Sequence, residues 1–234
     1  MMPPVIHRVT TLDLQVRPWS WPFAQTRRAD IDAHFAAEQR KRPNLWNGRV
    51  LLGRHPRFAG ECFSADYFET DFASFLAWRD WGFPDNGVFN GFGMGALLAN
   101  DGAFALGEMG QHTSNAGRIY FPSGTPDLDD VRGDTLDIEG SVAREVEEET
   151  GLKPGDYRAE PHWDCVFTGV AVAVMRILRV DMTGEALIDK TTGLTISNES
   201  SGKMKVQLEA PSMGLSGTAT GTATSKLKLQ PASP

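Results

Sequence analysis

The stretch REVEEETGL, Arg144–Leu152, closes a segment from Asp137 to Thr150 whose spacing predicts a helix stopped by Gly151. At 3.6 residues per turn, Glu145, Glu148 and Glu149 stand at i, i+3 and i+4 and share one face. Ile138, Val142 and Val146 make the neighbouring apolar face, and Glu147 points elsewhere. Like charges at this spacing repel by about a few tenths of a kcal/mol per pair. They also crowd the C-terminal end of the helix, where the dipole disfavours anions. A bound divalent cation would reward the arrangement. Hard carboxylate oxygens at short spacing suit Mg²⁺ or Mn²⁺. For a bare run of glutamates the plain reading is a solvated acidic face, so the surroundings of the helix decide.

Working outward, IYFPSGTPD, Ile119–Asp127, reads as a short strand running into a glycine loop. Before it, Met94–Met109 reads as two strand-like runs around Asn100-Asp101-Gly102, a hairpin signal. After the helix come a short strand over 156–160 and one or two buried strands within Trp163–Val180. Strands around one well-marked helix predict an α/β or α+β domain over about 85–182. Upstream, Arg27–Arg42 reads as a helix ended by Pro43, Leu45–Gly53 as a turn and strand, and Phe68–Phe83 as a helix with Asp71 as its N-cap.

In these surroundings REVEEETGL resembles the second half of the Nudix box, Arg-Glu-apolar-x-Glu-Glu-x-Gly-apolar, at every defined position. The resemblance covers about residues 87–182. It implies a mixed-sheet α/β/α sandwich, here with residues 1–85 as an N-terminal extension packing on the core, 86–190 as the hydrolase domain and 191–234 as an atypical, disordered tail. It implies Mg²⁺ or Mn²⁺ held by Glu145, Glu148 and Glu149, with Glu148, Glu149 and Arg144 in catalytic roles. Arg144 would orient a glutamate through a salt bridge. Gly124 corresponds to the first glycine of the box, at the substrate, and His112 is the best histidine for touching substrate. The implied reaction is attack of a metal-activated water on a diphosphate linkage in a nucleoside diphosphate joined to another group. LWNGRVLLG followed by ADYFETDFASF is similar in layout to an N-terminal region of Nudix enzymes acting on UDP-sugars, which favours a nucleoside diphosphate joined to another group, an NDP-sugar being one such substrate.

The first half of the box departs from the family pattern, which places Gly, five residues, Glu, then seven residues before the Arg. Counting back from Arg144, the acid position falls on Leu136 and the glycine position on Asp130, and neither fits. Residues read as inserted between Gly124 and Arg144. Asp134, Asp137 or Glu139 could replace the acid. Glu139 is the first choice, although it is rotated about 120° from the Glu145 face, and Asp137 reads better as an N-cap. The interruption also supports a competing class, a nucleotide-binding or regulatory module that has lost its chemistry.

The chain has 234 residues, 41% hydrophobic and 23% charged, with a formal charge of −7. That balance argues against broad nucleic-acid binding, though not against a nucleotide substrate whose charge a metal neutralises. A homodimer is compatible with the sequence. No apolar run reaches the roughly 18 residues that span a bilayer, and the start lacks a signal peptide's order, so no membrane partner and a cytoplasmic location are expected. Cys62 and Cys165 are too few for a disulfide scaffold and read as reduced and packed. The five histidines show no metal-ligand spacing, and His162 beside Cys165 does not make a Cys–His pair. The glycines of Asn90–Gly95 could approach a phosphate but read first as a flexible strand entry. Trp78 and Trp81 read as core.

All 22 aromatic residues lie at or before Phe167, and the last arginine is Arg179. Residues 191–234 hold 19 Ser, Thr or Gly among 44, too poor in large side chains to offset their ordering entropy unaided. Within them KMKVQLEA alternates like a strand. Thr183–Lys190 starts like a helix packed on the sheet, and the chain beyond about 190 reads as foreign to the domain, as a shifted reading frame would leave it.

Overall fold

The computed structural model describes residues 4–108, 119–192, 201–210 and 215–224. Its elements run β1 (Val5–Val9), β2 (Thr11–Val16), α1 (Pro22–Thr26), α2 (Arg28–Lys41), β3 (Arg49–Ala59), β4 (Cys62–Asp71), α3 (Phe72–Asp80) and β5 (Val88–Leu98). Then come the short strands β6 (Gly107–Glu108), β7 (Ile119–Tyr120) and β8 (Ser123–Gly124), a 3₁₀ turn at Leu128–Asp130, and β9 (Val131–Arg132) and β10 (Thr135–Leu136). Helix α4 (Ile138–Thr150) is followed by β11 (Tyr157–Ala159), β12 (Trp163–Phe167), β13 (Ala171–Val180) and α5 (Gly184–Thr192). Strands β14 (Ser201–Ala210) and β15 (Leu215–Thr224) pair with each other as a separate two-stranded sheet, so KMKVQLEA lies in a strand. Residues 193–200, 211–214 and 225–234 of the expected tail lie outside the described residues.

The protein is mixed α/β. One large sheet runs in the order β1-β12-β13-β5-β3-β4-β2-β10-β9, with β11 added to β13 and β8 to β5. The pairs β13–β5 and β2–β4 are parallel and the others antiparallel. The N-terminal strands are built into this sheet: β1 pairs with β12 over Val5–Val9, and β3 meets β5 at Gly53 and Arg54. Alternation along β3 and β4 explains why both faces are covered. Leu51, Phe63 and Tyr67 turn to the main core, while Leu52 and Phe68 turn to an aromatic cluster with Trp21, Phe75 and Trp78. Trp78 is fully buried there and donates its indole N–H to the Asp85 carbonyl at 2.9 Å, and Trp81 packs against the cluster of Ile31, Phe35 and Leu76.

Three sequence expectations are redrawn. The helix expected over Phe68–Phe83 starts only at Phe72: Phe68–Asp71 still pair with β3, and the Asp71 carboxylate caps the helix by accepting the Ser74 N–H at 2.7 Å. The turn at Asn100-Asp101-Gly102 is present, with Gly102 at φ +86°, but only a single bridge, Leu98–Phe104, continues it. Asp101 is instead engaged by the backbone N–H groups of Ala103 and Gly184. The glycines of β5 are neither a flexible entry nor phosphate contacts. A Cβ at Gly93 would lie 2.7 Å from Val142, and one at Gly95 would lie 2.6 Å from Val146. Their missing side chains let α4 settle directly on the strand, burying Ile138, Val142 and Val146, each contributing about 1.5–3 kcal/mol. Among the described residues no helix is long and apolar enough to cross a membrane.

Candidate active site

Helix α4 is built to hold its acidic face still. Asp137 caps its start by accepting the Gly140 N–H at 2.9 Å, and Gly151, at φ +73°, ends it while donating to the Glu147 carbonyl at 2.8 Å. With the apolar face seated on Gly93 and Gly95, Glu145 and Glu149 turn towards β8 and β7. A Cβ at Gly124 would lie 2.0 Å from Glu145 Oε1, so glycine is the residue that leaves room for this carboxylate. The tip of Glu149 meets the Tyr120 hydroxyl, which donates to Oε1 at 2.9 Å. Glu148 is exposed and makes no ion pair or hydrogen bond among the described residues.

Electrostatically the three glutamates act on one another. Loss of hydration is the main cause that pushes the Glu145 carboxyl up; Arg144 opposes it, and Glu148 and Asp130 add to it. Glu149 is pushed up to about 7, again first by desolvation, with Glu145 and Glu148 contributing and the Tyr120 hydrogen bond opposing. Part of Glu149 still reaches solvent, so water screens some of this repulsion.

The loop from Gly124 to Asp130 lies beside this helix face. Gly124 pairs with Gly93 of β5, and the Pro126 carbonyl accepts the Leu51 N–H at 2.8 Å, which seats the loop between β5 and β3. Asp130, only 2% exposed, accepts a hydrogen bond from Arg144 Nη2 at 2.8 Å, and Asp127 lies 3.9 Å from the same nitrogen. Asp130 stands six residues after Gly124, the box spacing from glycine to acid. The step from Asp130 to Arg144 is fourteen where the pattern has eight. The six additional residues equal Val131–Leu136, the β9–β10 hairpin. That hairpin leaves the loop and joins β2 through Thr135 and Gln15. Arg144 is therefore held by an aspartate and not by a glutamate. Counting forward from Gly124, rather than back from Arg144, is the signal that finds it.

Glu139 is placed elsewhere. It lies on the β13 side of α4, 70% exposed, with its carboxylate 2.6 Å from Arg176 Nη1, so the structure does not bring it to the other glutamates. His112 lies outside the described residues. Cys165 is fully buried with its thiol pushed up to about 12, chiefly by desolvation, which leaves no reactive thiolate for His162. Cys62 is also free.

Among the described residues, no three or more His, Cys, Asp or Glu side chains already converge as a metal cage. The donor set nevertheless has the chemistry of a hard-cation site: carboxylate oxygens on one stretch of helix, with Glu145 and Glu149 both pushed up, beside an arginine already paired with Asp130.

A solved structure, a Nudix hydrolase from M. Smegmatis, RenU, is similar to this chain at 17% identity and a TM-score of 0.30. The match takes in 42% of this chain and 65% of that one, less than two thirds of its length. No protein-family model matches the sequence, and no curated protein does.

Proposed function

We propose that the protein is a Nudix-type hydrolase that cleaves a diphosphate linkage in a nucleoside diphosphate joined to another group, an NDP-sugar being one such substrate. One observation carries this reading. Gly124, Asp130, Arg144 and Glu145, separated by an inserted hairpin in the chain, are brought back together beside the middle of α4. Glu145, Glu148 and Glu149 would hold Mg²⁺ or Mn²⁺. A cation there would neutralise charge on the diphosphate and make water more acidic.

The other roles fall to the chain itself. Asp130 holds Arg144, and Arg144 in turn keeps a positive charge beside Glu145. Glu148, exposed and unpartnered among the described residues, is free to take a proton from water. Residues 1–85 would shape the pocket around the substrate.

The test is a panel of NDP-sugars, dinucleotides and NTPs incubated with Mg²⁺ and Mn²⁺, with phosphorylated products measured. Glu148→Gln is expected to lower turnover at least about a hundredfold, the upper end of what groups that merely orient a metal ligand contribute. Its melting temperature should be unchanged. Wild-type turnover in that variant would sink the assignment. The interrupted spacing between Gly124 and Arg144 favours one second reading, a binding module without chemistry. Stabilisation by a nucleotide with no product from any substrate would be its mark.

A further inference from the structure

The three glutamates are restrained to different degrees. Glu145 is packed against Gly124, whereas Glu148 makes no hydrogen bond or ion pair among the described residues. Glu149 sits in the last turn of α4, where a long side chain has most freedom, yet one of its oxygens is taken by a hydroxyl from another part of the chain. That hydroxyl is itself well placed. Tyr120 pairs across strands with Gly107, and a Cβ at position 107 would lie 3.2 Å from the tyrosine ring, so the ring lies across a glycine that leaves it space. Its neighbour Phe121 packs edge-on against Phe104 at 5.6 Å.

We propose that Tyr120 is a positioning residue: its hydroxyl anchors Oε1 of Glu149 and so holds the carboxylate for a divalent cation shared with Glu145 and Glu148. This rests on the reading of the glutamates as cation ligands given above. Nothing in the Arg144–Leu152 pattern marks Tyr120, which lies 29 residues from Glu149 in the chain. Its action is that of an outer partner, which fixes the orientation of a ligand and whose loss weakens metal affinity by about 10–100-fold.

The experiment is calorimetric titration of the full chain with Mn²⁺, in wild type, Tyr120→Phe, Glu149→Gln and the double variant. Tyr120→Phe keeps the ring on Gly107 and removes only the hydroxyl. It should weaken Mn²⁺ binding about tenfold, the low end of that range. Because Tyr120 acts through Glu149, the double variant should bind no more weakly than Glu149→Gln alone. Gly107→Ala, which crowds the ring without removing the hydroxyl, should shift affinity in the same direction by less. If Tyr120→Phe binds like wild type, or weakens Glu149→Gln by its full factor, the positioning role is overturned while the hydrolase reading stands. Should wild type itself bind no Mn²⁺, the cation reading fails and the inference falls with it. Melting temperatures recorded alongside separate these outcomes from misfolding, and Gly107→Ala keeps the test open if Tyr120→Phe unfolds.

Discussion

The two halves of the candidate site are built on opposite principles. The helix half, Arg144–Gly151, keeps its spacing because a helix sets every angle: removing or adding one residue would rotate Glu148 and Glu149 by about 100° away from Glu145. The loop half, Gly124–Asp130, is set by its anchors. Gly124 is tied to Gly93, Pro126 to Leu51 and Asp130 to Arg144, and the chain between Asp130 and the cap Asp137 is free to lengthen. That stretch holds a hairpin that finds its own partner in β2. Insertions gather where geometry is held by contacts between ends, and not by the spacing of the chain itself.

Breaking an anchor of the loop half tests this contrast most severely. Asp130→Ala leaves Arg144 without its buried acceptor and leaves the Asp127 N–H without the Asp130 side chain. A lost hydrogen bond to a charged group is worth about 1.5–3 kcal/mol. Arg144 is about one third exposed, so water recovers part of that and the lower end is expected. Urea unfolding should show the loss in the midpoint with the slope unchanged. Turnover should fall by about tenfold or more as Arg144 is released. A variant as stable as wild type would mean the insertion, and not Asp130, holds the loop.

A smaller effect on folding and a selective one on the site is expected from Gly124→Ala. The added methyl meets the Glu145 carboxylate, the far end of a flexible side chain, so the fold gives way by moving Glu145. Mn²⁺ affinity should fall several-fold while the melting temperature stays within about 2 °C, since surface changes of this kind stay near ±0.5 kcal/mol. Equal losses of stability and affinity would show that the glycine serves the β5–β8 pairing instead.

How far the sequence revealed all this follows the same division. Helix α4, its cap Asp137, its stop Gly151 and the common side of Glu145 and Glu149 were legible, because periodicity and capping are local. The strand positions were legible in part: β3, β12 and β13 lie in apolar runs read as strands, and β11 lies within the short strand read over 156–160. Tyr120 was not legible, since it reaches the site through a partner 29 residues away, and Asp130 shows only when counted forward from Gly124, because a hairpin lies within the 14 residues that separate it from Arg144. The β5 glycines were misread for a related reason. Alternating Gly93 and Gly95 look like looseness in the chain, and only the packed helix shows them as the close-approach surface for Val142 and Val146.

The subtlest way to sharpen the comparison concerns the helix half alone, through the pH dependence of Glu149→Gln. A glutamate's ordinary value is 4.5, and the folded chain pushes Glu149 to about 7. A raised carboxyl favours the folded chain most while it is protonated, below about 4.5, and that advantage is lost as pH rises through 7. Glutamine, like the protonated acid, carries no charge, so the variant keeps the advantage at every pH. The two proteins should melt together near pH 4.5, and the variant should melt higher at pH 8, by on the order of 1–3 °C because exposure screens the repulsion. Saturating Mn²⁺ at pH 8 should reverse the ranking, since a ligand bound to the folded chain stabilises the protein that holds it more tightly. A variant that stays ahead of wild type with Mn²⁺ present would show that the acidic face of α4 is only tolerated repulsion, leaving the helix half with no more functional content than the inserted hairpin.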